Sequence, residues 1–297
     1  MIQILRTQTP PPRPSPLKGK GEEGASGLNP PPPEHLSKGR GSAGWGVYRR
    51  ALATLSRYAP LLILALAWEA APRLGLVSPA ALPPLSAVLR AWTSLLLDGD
   101  LAVNGASSLV NLVGGLGAGV LVGTAIGILM AWYAPVEIVV NPLIRCLHPM
   151  PKTALIPVLM LWFGIGAGSK IAAIFIGCLL PVTISAYNGA RGVEETLVWS
   201  ALSAGASRAR VLWDIVLPAC LPEILAGTRT ALGLSFILLV SSEFLIGHTG
   251  LGYLISFLGE GGVYDAMFAG VLTVAAFGFL ADRLYLAAMR RLLAWRQ

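Results

Sequence analysis

From Ser107 to Trp132 the chain runs without a single charged side chain, and a stretch of that length can be accommodated only deep in a large core or across a bilayer. The rest of the sequence decides between the two. Of 297 residues, 55% are hydrophobic and only 12% are charged, and the mean hydropathy of +0.68 is too high for a soluble domain of this size. Further apolar runs cover Tyr58 to Leu76, broken by Glu69, Pro72 and Arg73, then Lys152 to Gly164, Ile171 to Asn188, Pro222 to Ile246 and Ala266 to Ala288. Hydrocarbon about 30 Å thick needs about 20 helical residues, so the expected fold is an all-α membrane protein of about six transmembrane helices. Lipid leaves backbone groups no partner but the helix itself.

The second span carries Gly115, Gly119, Gly123 and Gly127. A glycine every four residues places a groove along one helix face, where a neighbouring helix can approach at backbone distance. Leu82 to Leu97 shows apolar residues at helical spacing around Arg90 and is expected to form a short helix on the membrane surface. Pro135 to Pro151 contains Glu137, Arg145, His148 and further prolines, which suits an interrupted interfacial piece. The first 46 residues hold nine prolines and eight glycines and read as a disordered tail, with the transmembrane domain expected over residues 47–297. That tail lacks the apolar core of a secretory leader and resembles translated intergenic repeat DNA, with Val47 an alternative start. Cys146, Cys178 and Cys220 are dispersed in or beside apolar segments and suggest neither a disulfide framework nor a zinc site.

Lysine and arginine at the span ends set the expected orientation. Arg49, Arg50, Arg57, Arg145, Lys152, Arg191, Arg208, Arg210, Arg283, Arg290, Arg291 and Arg296 fall on one side, and only Arg73, Arg90 and Lys170 on the other. The first side is expected to be cytoplasmic, with both termini there. The formal net charge of +7 is thus an orientation signal and gives no reason to invoke nucleic acid. The longest ordered loop on that side is Arg191 to Leu221.

Within that loop, Trp199-Ser200-Ala201-Leu202-Ser203-Ala204-Gly205-Ala206-Ser207 is followed by Ile215, Val216, Leu217 and Pro218. This order predicts a helix, a glycine turn and a second helix. Gly205 permits a positive φ, Ala206 keeps the turn small, Ser207 can cap the second helix, and Pro218 is expected to end it. Here the chain resembles the permeases of ABC importers, whose signature is Glu-Ala-Ala, three residues, Gly, nine residues, Ile, one residue, Leu-Pro. Ala201, Gly205, Ile215, Leu217 and Pro218 fit, while Trp199 and Ser200 replace the glutamate and first alanine.

The resemblance narrows to the nitrate, sulfonate, taurine and bicarbonate branch and extends over nearly everything after Tyr58. It is carried by Leu82-Pro83-Pro84 with Val88, by Leu161 to Gly166 with Ser169-Lys170, by Gly227-Thr228-Arg229, and by Glu243 with Gly250 to Tyr253. It implies a type I importer permease in a bacterial inner membrane, working as a homodimer with two ABC ATPase subunits and a periplasmic or lipid-anchored solute-binding protein. Five helices would form the family core and the first would be accessory. The resemblance also makes the Arg191–Leu221 loop a cytoplasmic coupling helix, with Ala201, Gly205, Ala206, Ser207, Ile215, Leu217 and Pro218 contacting the ATPase. The implied cargo is a sulfonate, nitrate, taurine or related solute, with a heteroaromatic vitamin precursor such as a pyrimidine as the alternative.

Arg229 and Glu243 lie fourteen residues apart in the fifth span, within about 40° of one helix face. Intramembrane charge usually faces protein or water, so these two, with Ser242 and Trp162, are the candidate path residues. The competing reading has Arg229 extend to one interface and Glu243 to the other. Gly164 to Lys170 lacks the Gly-Lys-Ser/Thr ending of a phosphate cradle. His35, His148 and His248 are too scattered for a metal cluster. No catalytic grouping or cofactor motif is visible, which disfavours a membrane enzyme and leaves a passive channel as the remaining rival.

Overall fold

The computed structural model describes residues 59–296, and the expected tail, residues 1–46, lies outside them. The chain divides into two units, Met1–Ala67 and Trp68–Gln297. Residues 59–73 are helical (α1), with the boundary between the units inside that helix. Among the described residues there is no strand.

In the second unit the helices are α2 (Leu85–Leu97), α3 (Asp100–Trp132), α4 (Ala134–Leu147), a 3₁₀ turn (Lys152–Leu155) leading into α5 (Ile156–Phe163), α6 (Ala167–Arg191), α7 (Glu195–Ser203), α8 (Arg208–Val211), α9 (Leu217–Ile246), α10 (Leu251–Glu260) and α11 (Tyr264–Leu292). Four helical segments are long and apolar enough to cross a membrane on length and composition: Asp100–Trp132, Ala167–Arg191, Arg208–Leu245 and Tyr264–Leu292. The run expected as a third span is the shorter apolar helix Lys152–Phe163.

The centre of the unit is α6, held between α3 and α9 around Leu112, Ile174, Cys178, Val182, Ala231 and Leu238. The glycine ladder explains how closely α3 approaches. A Cβ on Gly115 would lie 2.5 Å from Ile174 Cβ, one on Gly119 2.8 Å from Cys178 Cβ, one on Gly123 3.0 Å from Leu179 O, and one on Gly127 2.5 Å from Thr183 O. Each step of four along α3 meets a step of four along α6, so the two helices run parallel. The α6–α9 seam is antiparallel, and there a Cβ on Gly177 would overlap Leu238 and one on Gly227 would overlap Ser185.

A second cluster joins α2, α10 and α11 through Val88, Leu95, Leu251, Leu254, Ala266 and Ala269. Trp92 Nε1 donates to Thr273 Oγ1 at 3.1 Å across it. Trp68 Nε1 donates to Pro83 O at 2.9 Å, and its ring meets Phe268 edge-on.

Two boundaries differ from the sequence reading. Helix α3 starts at Asp100, not Ser107, because Gly99 turns the chain with φ +86° and Asp100 places acid in the first turn, where the helix dipole favours it. Pro218 was expected to stop a helix, yet it sits in the first turn of α9. The chain is nonetheless helical on both sides of it, from Arg208 to Leu245, because a π-helical turn at Leu212–Val216 joins α8 to α9 just before the proline, a widening of the kind that accommodates such a break.

Candidate functional site

Three sets of residues stand out. The first is the α7–α8 hairpin. Ala206 N donates to Ala201 O and Gly205 N to Leu202 O, both at 3.0 Å, the paired closure of a Schellman helix end. Gly205 supplies the required positive φ, +86°. Ser207 then caps α8, its Oγ accepting from Arg210 N at 3.3 Å. The turn chemistry read from Gly205, Ala206 and Ser207 is therefore present. Val211 and Val216 are buried and Ile215 and Leu217 partly so, whereas Leu197, Trp199 and Trp213 project apolar area outward.

The hairpin begins where a polar node fixes the end of α6. Tyr187 Oη donates to Glu137 Oε1 at 2.5 Å, and Arg191 Nη1 lies 3.2 Å from both Glu137 oxygens and 2.9 Å from Tyr187 Oη. The Arg191 guanidinium also lies over the Tyr187 ring. This node ties the start of α4 to the last turn of α6.

The second set surrounds Glu243, which is fully buried. Its Oε2 accepts from Ser108 Oγ at 2.7 Å and from Gly252 N at 3.1 Å, and its Oε1 accepts from Asn111 Nδ2 at 3.3 Å. Leu251 N donates to Ser108 Oγ and Gly250 N to Asn104 Oδ1. The first backbone N–H groups of α10, which no helix can satisfy internally, thus find side chains on α3 and α9. Buried Lys170 donates to Thr249 O at 2.7 Å and secures the preceding loop. A Cβ on Gly250, which has φ +114°, would overlap the Glu243 carboxyl.

The third set is a cleft of about 460 Å³ between α9 and α11, lined by Arg229, Thr230, Leu232, Gly233, Phe236, Gly278 and Asp282. Arg229 Nε donates to Asp282 Oδ1 at 2.8 Å and Nη2 to Oδ2 at 3.1 Å. The pair is bidentate, and the two side chains remain 48% and 37% exposed.

The four residues read as path candidates are not brought together. Ser242 is buried and donates to Leu239 O, Glu243 turns inward, Arg229 faces the cleft, and Trp162 lies exposed on α5. The shared helix face does not give Arg229 and Glu243 a shared environment, because α11 stands beside it at Arg229 and α3 and α10 enclose it at Glu243. Asp282 was missed in the sequence. Its signal was available as a single aspartate inside the last apolar run, a position that calls for a basic partner.

Residues 123–293 match the family described as binding-protein-dependent transport system inner membrane component. The taurine transport system permease protein TauC of Escherichia coli (strain K12) is 35% identical over 256 residues, covering 84% of this chain and 92% of TauC. The putative aliphatic sulfonates transport permease protein SsuC of Bacillus subtilis (strain 168) is 32% identical over 237 residues, covering 80% of this chain and 86% of SsuC. The inward-facing MetNI methionine ABC transporter superposes with a TM-score of 0.57 at 16% identity, over 66% of this chain and 97% of that one. At that identity the likeness shows the fold alone. Helix order, glycine-turn hairpin and relatives agree: the chain belongs to the inner-membrane permeases of ABC importers, in the nitrate, sulfonate and taurine branch.

Proposed function

We propose that two copies of this chain enclose the membrane path of an ATP-driven importer for a small sulfonate, taurine or a close relative. The observation that carries the reading is Arg229, a half-exposed cation inside a spanning helix, in a chain 35% identical to a taurine permease. A charge at that depth is costly against hydrocarbon, so its open side faces water or protein. The cleft is open on one side, and a second copy supplies the missing wall. An anion drawn toward Arg229 gains from the weakly screened surroundings.

The α7–α8 hairpin is the point of drive. The lysine and arginine bias supports a cytoplasmic side for it and for both termini, and there an ATPase subunit docks against each copy. Ala201, Gly205, Ala206 and Ser207 shape the docking turn, and Ile215, Leu217 and Pro218 lead its motion into α9. With Leu197, Trp199 and Trp213 exposed on it, the contact is more apolar than the signature glutamate would make it. A solute-binding protein delivers cargo on the opposite face. Of the candidate path residues, Arg229 meets the solute, while Glu243 holds α3, α9 and α10 together elsewhere along α9 and Ser242 is buried with its hydroxyl on Leu239 O.

The test is ATP-dependent uptake in vesicles containing the permease, its ATPase and its binding protein. Labelled taurine or an alkanesulfonate should accumulate, and Arg229→Ala should reduce accumulation severalfold while the ATPase still co-purifies. Uptake of a pyrimidine and no sulfonate would overturn the cargo assignment, and solute flux without ATP would overturn the importer reading.

A further inference from the structure

We propose that Asp282 is a specificity-determining residue, through which the cleft distinguishes a zwitterionic amino sulfonate from a plain sulfonate anion. This rests on the sulfonate reading above and goes beyond it.

The geometry supplies both charges. Asp282 engages Nε and one N–H of Nη2 of Arg229, which leaves the other Nη2 proton and both Nη1 protons, since a guanidinium carries five donors. An incoming sulfonate can bind that free edge without displacing Asp282. It is then held beside a carboxylate, and a plain anion pays repulsion for the position. A solute that carries an ammonium two carbons from its sulfonate can turn that end toward Asp282 and convert the repulsion into attraction.

The space beside the pair fits such a solute. Gly233 lies one turn beyond Arg229 on α9, and Gly278 one turn before Asp282 on α11. Because these helices run antiparallel, both glycines fall on the same side of the ion pair. A Cβ on Gly233 would meet nothing within 4 Å, and one on Gly278 would come no nearer than 4.0 Å, to Phe236. The cleft, about 460 Å³, lies within the size range of small-molecule sites, about 300–1,000 Å³. Phe236 and Leu232 provide an apolar wall for the two-carbon linker.

The experiment compares binding of taurine and of propane-1-sulfonate, which has a methyl group where taurine has its ammonium, to the purified permease–ATPase complex without binding protein. The wild-type complex should favour taurine. Asp282→Asn should lower the taurine-to-propanesulfonate affinity ratio about tenfold, a difference of about 1.4 kcal/mol, mainly by tighter propanesulfonate binding. Arg229→Gln should lose both ligands. An unchanged ratio in Asp282→Asn, with both ligands lost in Arg229→Gln, overturns the role of Asp282 and leaves the sulfonate path standing. Undiminished binding of both ligands to Arg229→Gln overturns the path reading itself. Equal affinity of the wild-type complex for the two ligands overturns the proposal even if neither variant assembles.

Discussion

The Glu243 carboxyl accepts a 2.7 Å hydrogen bond from Ser108 Oγ, 135 residues earlier in the chain, and through that contact α9 and α3 together hold the start of α10. The serine is a relay, because its Oγ accepts from Leu251 N at 2.8 Å while its proton goes to Glu243. Glu243→Ala would leave Ser108, Asn111 and Gly252 N without their acceptor, and each orphaned buried donor costs about 1–3 kcal/mol. The expected result is a lower thermal midpoint for the assembled complex and faster protease cleavage at residues 247–251. Ser108→Ala should show a smaller version of both effects. An unchanged midpoint in Glu243→Ala would mean that the node contributes nothing to stability.

Helix α3 offers a test with an internal control. Gly119 is buried, and its Cβ would lie 2.8 Å from Cys178 Cβ and 3.3 Å from Phe175 O, whereas a Cβ on Gly117 meets nothing within 4 Å. Overpacking a close seam typically costs about 1–3 kcal/mol, and separating two helix backbones adds lost dispersion contacts along the whole ladder. Gly119→Leu should therefore cut the yield of folded permease sharply, while Gly117→Leu leaves it near the wild-type level. Equal yields from the two variants would show that the α3–α6 approach is not set by these glycines.

Tyr187, Arg191 and Glu137 connect the hairpin's root to α4. Under the coupling reading, a push on α7 reaches α4 through this node, since Arg191 closes α6 and Glu137 opens α4. Tyr187→Phe removes the 2.5 Å hydrogen bond and keeps the ring under the guanidinium. Such linking residues modulate coupling by roughly twofold to thirtyfold. Solute moved per ATP hydrolysed should fall within that range while hydrolysis itself continues, and Glu137→Gln should act in the same direction. A stoichiometry unchanged in both variants would confine the node to a structural role.

Features with a short-range cause were legible in the sequence. The glycine ladder could be read because its period of four is the helix's own. Gly205 and Ser207 could be read because a positive φ and a helix cap are local demands met by local residues. Glu243 could be flagged as an intramembrane charge, but Ser108, Asn111 and Gly252 could not be assigned to it, since ordinary polar residues in an apolar helix carry no label of their partner. Arg229 and Asp282 stand 53 residues apart, and helix periodicity says which face a residue occupies without saying what covers that face. Pro218 misled because a proline ordinarily ends a regular helix, whereas here a π turn just before it carries the helix past it.

The hairpin prediction separates backbone strain from packing, because a Cβ on Gly205 would meet nothing within 4 Å while its φ is +86°. Any penalty at this position is conformational. An L-residue held in the left-handed region costs roughly 1–2 kcal/mol, and a β-branched side chain is worse still. Asparagine tolerates that region better than most. Gly205→Val should thus reset the angle between α7 and α8, Gly205→Ala should do so partially, and Gly205→Asn should come closest to wild type. Membrane insertion should be equal in all three, since the residue is exposed and outside the α3–α6–α9 packing. Binding of the ATPase and solute-stimulated hydrolysis in vesicles should then rank glycine, asparagine, alanine, valine. If the valine variant hydrolyses ATP and transports as well as the glycine parent, the shape of this turn is not what the motor grips. If all three variants fail alike, the cause is loss of glycine's freedom to move, and not the loss of one particular backbone angle.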